Sequence, residues 1–235
     1  MTKPIALVFG ATGAIGTQIA DWFSGHGYEA WAGSRQADKS SSADSKTFIF
    51  NIDTPEVNFK GLKSGSVAVV VWAQGANLSD SIRSLELEAH RNMYEANVVY
   101  ILAALQSILK LNLLAPSARL CVISSIWQNL AKQDKLSYCV TKSAIQGLVQ
   151  SLAIDLGKEG VMINAVLPGA LDTPMTRANL THQQINELTR LTPLGSLATL
   201  EDVANLVGFL CSEANSGITG QFINADRGFS NARII

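Results

Sequence analysis

The chain has 235 residues, a formal net charge of −1, and 16% charged residues. That length suits one large α/β domain, which buries a full core without a metal or disulfide staple. The near-neutral balance and the lack of any Lys/Arg cluster exclude the electrostatic footprint of a nucleic-acid binder. Cys121, Cys139 and Cys211 are odd in number and far apart, with no CxxC or Cys/His metal spacing. They read as core thiols of a reducing compartment, and no metal site is expected. The apolar run in MTKPIALVFG is too short for a signal peptide, and no run approaches the ~20 residues of a membrane helix. A cytoplasmic protein is expected.

Lys3–Phe9 (KPIALVF) reads as a short strand. It leads into Gly10-Ala11-Thr12-Gly13-Ala14-Ile15-Gly16 and then a helical pattern at Ile19, Ala20, Trp22 and Phe23. Strand, glycine loop and helix in that order match a dinucleotide-binding turn, where backbone N–H groups approach a pyrophosphate at a helix N-terminus. The other reading is a glycine-rich turn without a ligand. Tyr28–Gly33 follows as a second strand. An acid at its end would accept from the ribose 2′-hydroxyl of NAD, whereas Ser34 with Arg35 suits the 2′-phosphate of NADP. The plain alternative is an ordinary surface arginine. Gln36–Lys46 is polar and serine-rich, a solvated loop or frayed helix.

Thr47–Asp53 gives a third strand ending in an acid. Only TPEVNFKGLKSGS separates Asp53 from the next strand, so a crossover helix there is short or absent. Ser66–Trp72 (SVAVVVW) is a buried strand by its continuous β-branched run, and it ends in Trp72-Ala73-Gln74-Gly75. Glu86–Leu111 reads as one long helix. Asn97 in its middle lowers helix propensity and competes for backbone bonds, so its position asks for a reason, a satisfied buried amide being the simplest. His26, His90 and His182 lack the mutual spacing of ligands or of a nucleophile–base pair.

The chemistry concentrates between Leu120 and Thr173. Arg119–Ile123 reads as a buried strand with Ser125 at its end, where open parallel sheets form sites. Tyr138 and Lys142 are four apart in a segment with helical apolar spacing (Val140, Ala144, Ile145, Leu148, Leu152), so they share one face. A free phenol has a pKa of roughly 10, and a fixed ammonium nearby stabilises the phenolate for proton transfer.

Ser125, Tyr138 thirteen positions on, and YxxxK, combined with the glycine loop, resemble the short-chain dehydrogenase/reductase family. The resemblance implies a single-domain Rossmann fold over residues 1–235, a doubly wound α/β sheet of about seven parallel strands with helices on both faces. It implies an NADP(H)-dependent oxidoreductase interconverting a ketone and a secondary alcohol. In that pattern Ser125 hydrogen-bonds the carbonyl and Tyr138 donates the proton. Lys142 lowers the phenol's pKa and binds ribose hydroxyls, and Asn97 anchors a water joining the lysine to solvent. Gly10, Thr12, Gly13, Ile15, Gly16, Ser34, Arg35, Ala73 and Gly75 fall at cofactor contacts. Asp53 matches the acid that meets the adenine amino group, an N-cap or turn role being the alternative. Leu171 and Thr173, past a sixth strand at Val161–Leu167 and the Pro168-Gly169 turn, match contacts to the nicotinamide carboxamide.

Other segments carry the resemblance further. Ala178–Leu197 corresponds to a substrate lid. The tail, with N-cap Thr199, an amphipathic helix and a last strand at Gly220–Asn224, resembles the oligomerisation end of family members that form homodimers or homotetramers. Thr173-Pro174-Met175-Thr176-Arg177 resembles β-ketoacyl carrier-protein reductases, where an arginine docks the acidic acyl carrier protein; Pro116 stands where they place a second basic contact. That similarity implies 3-oxoacyl-thioester reduction. The GxxGxxG spacing resembles the extended branch and implies, as an alternative, a sugar-nucleotide or polysaccharide-precursor oxidoreductase. A non-catalytic NADP-sensing regulator is the third reading, although such a protein would lose the tyrosine or the lysine. Two further departures are Trp72-Ala73-Gln74-Gly75 where the family commonly has NNAG, and Asp226-Arg227-Gly228 where Asp-Gly-Gly is usual.

Overall fold

Apolar runs too short for helices, separated by helical patterns, leave the chain one economical way to bury its strands: a parallel sheet covered on both faces. A computed structural model describes residues 3–34, 46–52, 59, 61–173, 176–177 and 180–231. It has β1 (Ile5–Phe9), α1 (Ala14–Gly25), β2 (Glu29–Ser34), β3 (Lys46–Ile49), β4 (Val67–Trp72), α2 (Leu87–Tyr94) and α3 (Tyr100–Lys110). There follow β5 (Leu114–Ile123), α4 (Leu136–Gly157), β6 (Met162–Pro168), α5 (His182–Arg190), α6 (Leu200–Leu210) and β7 (Phe222–Ala225). All pairs are parallel, in the order β3-β2-β1-β4-β5-β6-β7. The expected seven-stranded, doubly wound sheet is what forms.

Alternation along each strand divides the core in two. Leu7, Phe9, Val70 and Trp72 face the layer of α3 and α4, packing with Ile101, Leu105, Ile145 and Val149. Ala6, Val8, Val69 and Val71 face α1 and α6, packing with Ile19, Phe23, Val203 and Val207. The order reverses at β1, whose neighbours are β2 and β4, so a crevice opens beyond the carboxyl ends of β1 and β4, where such sheets bind ligands.

Several boundaries differ from expectation. The second strand is shifted one residue, and the third stops at Ile49 because its one partner, β2, ends at Ser34, opposite Ile49. β5 begins five residues before Arg119: Val67 pairs with Leu114 and Val69 with Arg119, so the extra residues bulge out around Pro116 and Ser117, the latter at φ 57°. The sixth and seventh strands run to Pro168 and Ala225. Within the expected lid, α5 begins at a Thr181–Gln184 capping box.

The expected single helix Glu86–Leu111 is instead α2, a π-helical turn over Glu95–Val99, and α3. Asn97 occupies that turn and is 1% exposed. Its Oδ1 accepts from Ala76 N at 2.7 Å, and its Nδ2 donates to Ala76 O at 3.1 Å and to Thr141 Oγ1 at 3.0 Å. The amide is thus satisfied by the loop after β4 and by α4, and the widened turn accompanies that reach. Arg35, Asp53 and the segment expected to lack a crossover helix lie outside the described residues, apart from its Phe59 and Gly61–Ser66.

Candidate active site

The glycine loop sits at the reversal. Gly10 has φ 75°, and a Cβ there would lie 2.5 Å from Gln74 N, so only glycine lets β1 turn against the end of β4. A Cβ on Gly16 would come within 2.2 Å of Gly10 O, which brings the first turn of α1 against the loop. α1 starts after Gly13 with no side-chain cap and no acidic residue in its first turn, an N-terminus suited to an anion.

Beside it is a cavity of about 590 Å³ lined by Gly10, Thr12, Gly13, Ser34, Ala73 and Gly75 among the expected cofactor residues. Ile15 and Gly16 are not in its walls: Ile15 packs against the core and Gly16 is buried in the loop contact. The walls also include residues the sequence did not single out, among them Phe50, Asn51, Gln74, Glu95 and Tyr100. Phe50 and Tyr100 pack edge to face at 5.1 Å, and behind them Phe9 stacks on Trp72 at 5.8 Å. The unusual WAQG was the available signal for this wall. Both polar atoms of the Gln74 amide are sheltered from solvent and have no hydrogen-bond partner among the described residues. An amide so placed carries a desolvation penalty of about 1–3 kcal/mol that a polar ligand would relieve. Glycine loop, uncapped helix and orphaned amide fit a dinucleotide.

Ser125, Tyr138 and Lys142 come together at the far end of the crevice. Ser125 is positioned where β5 gives way to a single 3-10 turn at Ile126–Gln128, its Oγ accepting from Trp127 N at 3.3 Å. It lies near enough to the Tyr138 phenol to favour the ionised form. Lys142, 5% exposed, donates to Ile123 O at 3.1 Å and lies 5.7 Å from the centre of the Tyr138 ring. Gly75 joins this group to the cavity, since a Cβ there would lie 3.2 Å from Asn97 Oδ1 and 3.7 Å from Lys142 Nζ.

Burial pushes the Tyr138 phenol above its ordinary pKa, and Ser125 opposes that rise only in part. The Lys142 ammonium donates to a backbone carbonyl, Ile123 O. Burial pushes Lys142 itself down to about 8. Leu171 and Thr173 stand apart from the cavity walls: Leu171 bridges to Ala198, and Thr173 Oγ1 accepts from Thr176 N at 3.2 Å. Arg177, expected to meet an acidic carrier, is bound bidentately by Asp172 at 2.7 and 2.8 Å on an exposed surface.

Among the described residues no cluster of His, Cys, Asp or Glu could hold a metal, and no helix is long and apolar enough to cross a membrane.

A family model described as enoyl-(acyl carrier protein) reductase matches residues 59–230. The 3-oxoacyl-acyl-carrier-protein reductase FabG of Chlamydia muridarum is 27% identical over 98% of this chain and 98% of its own length. The human (3R)-3-hydroxyacyl-CoA dehydrogenase is 37% identical over 45% of this chain and 40% of its own. The solved aldohexose dehydrogenase of Thermoplasma acidophilum superposes with a TM-score of 0.87 at 23% identity, covering 100% of this chain and 96% of that one.

Proposed function

Because the chain belongs to the short-chain dehydrogenase/reductase family, oxidoreductases of carbonyl and alcohol groups, we propose that it reduces a ketone to a secondary alcohol with NADPH, 3-oxoacyl thioesters being the substrate class. One observation carries the reading: Lys142 Nζ lies 5.7 Å from the centre of the Tyr138 ring and beside Gly75, a wall of the glycine-loop cavity, with Ser125 near enough to act on the phenol. The two adjacent hydroxyls offer a carbonyl oxygen two donors, which stabilise charge as it develops there. Tyr138 then gives up its proton to the alkoxide oxygen. Lys142 compensates the phenolate left behind and reaches ribose hydroxyls, and Asn97, its neighbour across Gly75, lines the route by which protons return from solvent.

Thr12, Gly13 and the α1 N-terminus hold the diphosphate. Ser34 and Arg35 take the 2′-phosphate, Asp53 and Gln74 the adenosine side, and Leu171 and Thr173 the carboxamide. The nicotinamide supplies hydride to the carbonyl carbon when bound. Full-length similarity to carrier-protein reductases supports the thioester. Docking of an acyl carrier protein by Arg177 would exchange one exposed carboxylate, Asp172, for another, at little net change. Exposed Val99 and Leu102 on one side of the chain's path and Val140 and Ile154 on α4 support a homodimer or homotetramer.

The test follows NADPH and NADH oxidation over acetoacetyl-CoA, small ketones and keto-sugars, with Tyr138→Phe as control. Thioester turnover that the control abolishes is the expected result. Turnover confined to keto-sugars would favour the sugar-nucleotide alternative that GxxGxxG raised, and turnover surviving in Tyr138→Phe would refute the proton-donor assignment. Tight NADPH binding with no turnover anywhere would favour a sensing regulator. Separately, Arg35→Ala is expected to weaken NADPH binding at least ~10-fold and NADH binding little, as loss of a charge-assisted pair predicts; equal losses would sink the 2′-phosphate assignment.

A further inference from the structure

The N-terminus of α4, two residues ahead of Tyr138, is not capped by its own residues. Lys135 holds the N-cap position and makes no side-chain capping bond. The cap comes instead from Asp80, in the loop after β4. Asp80 Oδ1 accepts from Ser137 N at 3.0 Å, its Oδ2 accepts from the Ser137 hydroxyl, and its backbone O accepts from Leu136 N at 3.1 Å. His90 of α2 lies 2.8 Å from the same hydroxyl through Nδ1. Since Ser137 donates its proton to Asp80, its oxygen is the acceptor and His90 Nδ1 the donor, which assigns the imidazole tautomer.

Asp80 is 4% exposed and Ser137 fully buried. Ser137 is therefore no nucleophile despite its Asp and His neighbours. The carboxylate sits where helix N–H groups and the helix dipole both favour negative charge. On the other side of Tyr138, Thr141 Oγ1 donates to Tyr138 O at 3.0 Å and accepts from Asn97. The tyrosine's backbone is thus held from both flanks by fully buried hydroxyls, each bonded to a distant part of the chain. Lys135 adds bonds to Asn77 Oδ1, Leu78 O and Ser79 Oγ, so the whole loop from Ala76 to Asp80 is tied to α2, the π turn and α4.

We infer that Asp80, Ser137 and His90 are a positioning network for Tyr138: they touch no substrate, but they set the place of the phenol against Ser125. This rests on the assignment of Tyr138 as proton donor. A phenol displaced by about 1 Å is enough to lower turnover on the order of 100-fold. Asparagine at position 80 preserves the network, because its Oδ1 still accepts from Ser137 N while its Nδ2 donates to Ser137 Oγ, which then turns its own proton to His90 in the other tautomer.

The experiment compares Asp80→Ala, Asp80→Asn and Tyr138→Phe in the full chain. With acetoacetyl-CoA and NADPH, Asp80→Ala is expected to lower kcat about 10- to 100-fold. KM and the NADPH Kd, read by nicotinamide fluorescence, stay within a factor of about three, and Asp80→Asn recovers most of the loss. Amide deuterium exchange, which needs no substrate, is expected to accelerate over residues 136–139 in Asp80→Ala and not in Asp80→Asn. The inference is overturned by unchanged exchange, by kcat within twofold of the parent, by equal damage from Ala and Asn, or by NADPH binding lost together with kcat. A fully active Tyr138→Phe would instead strike the proton-donor assignment and leave the exchange result to judge the network.

Discussion

Lys142→Met is expected to make the protein more stable and, on the proposed chemistry, about 1,000-fold slower, within the range removal of a proton-transfer partner produces. Both effects come from one buried ammonium. Burial holds its pKa at about 8, against 10.5 in the unfolded chain. That difference is worth roughly 3 kcal/mol, of which the lost bond to Ile123 O returns about 1 kcal/mol, leaving a net gain of roughly 2 kcal/mol for methionine.

The sign follows from proton counts. Below pH 8 the lysine is charged folded and unfolded, and burying the charge opposes folding in full. Between about 8 and 10.5 the folded chain releases its proton first, so the stability of the parent rises with pH through that window. The advantage of methionine is therefore largest at pH 7 and small above pH 10.5. Thermal melts at the two pH values check it, with a rise of roughly 5 °C expected at pH 7 for a chain of this length. A variant melting at or below the parent at pH 7 would show that the lysine is not strained by its burial. Stability withheld for the sake of chemistry is a common trade at active sites.

Gly16→Ala is expected to abolish tight NADPH binding, weakening it at least ~30-fold, and to destabilise the fold by about 1–3 kcal/mol as overpacking does. The added Cβ meets three backbone atoms of the glycine loop, Gly10 O at 2.2 Å, Gly10 C at 2.7 Å and Ala11 Cα at 2.9 Å. None of these moves as a side-chain end can, so the loop itself must shift away from α1. Gly25, at the other end of the same helix, has nothing within 4 Å of its Cβ position. Gly25→Ala is then the matched control, neutral or stabilising by up to ~1 kcal/mol. Fluorescence titration and melts of the pair decide it, and Gly16→Ala binding NADPH within threefold of the parent would mean the loop tolerates the shift.

What could be read from the chain alone follows its periodicities. Strands such as Val67–Trp72 and the YxxxK helix face are local patterns, and the folded chain keeps both, with Lys142 and Tyr138 on one side of α4. The pattern of Asn97 inside an apolar helix was legible as an anomaly, but not its outcome, because the π turn depends on Ala76 and Thr141, 21 and 44 residues away. His90 showed no useful spacing to another histidine, and its partner is a serine 47 residues on. The ammonium's own partner was illegible for the same reason: sequence spacing brings Lys142 to the face of Tyr138, while the end of β5 supplies Ile123 O as its acceptor. Arg177 likewise was read without Asp172, five residues before it.

Because β1 lies between β2 and β4, a chain emerging from the ribosome can complete only one side of its first strand until Val67–Trp72 has been made. At about 5–20 residues per second that is an interval of several seconds during which the apolar edge Ala6–Phe9 has no partner. With no hairpin among its pairs, each new strand must first close a crossover loop before any ladder bond rewards it. Strands β4 to β7 are then laid down outward in the order of synthesis, so growth from the N-terminus builds this sheet along a path that refolding of the finished chain from denaturant does not enforce.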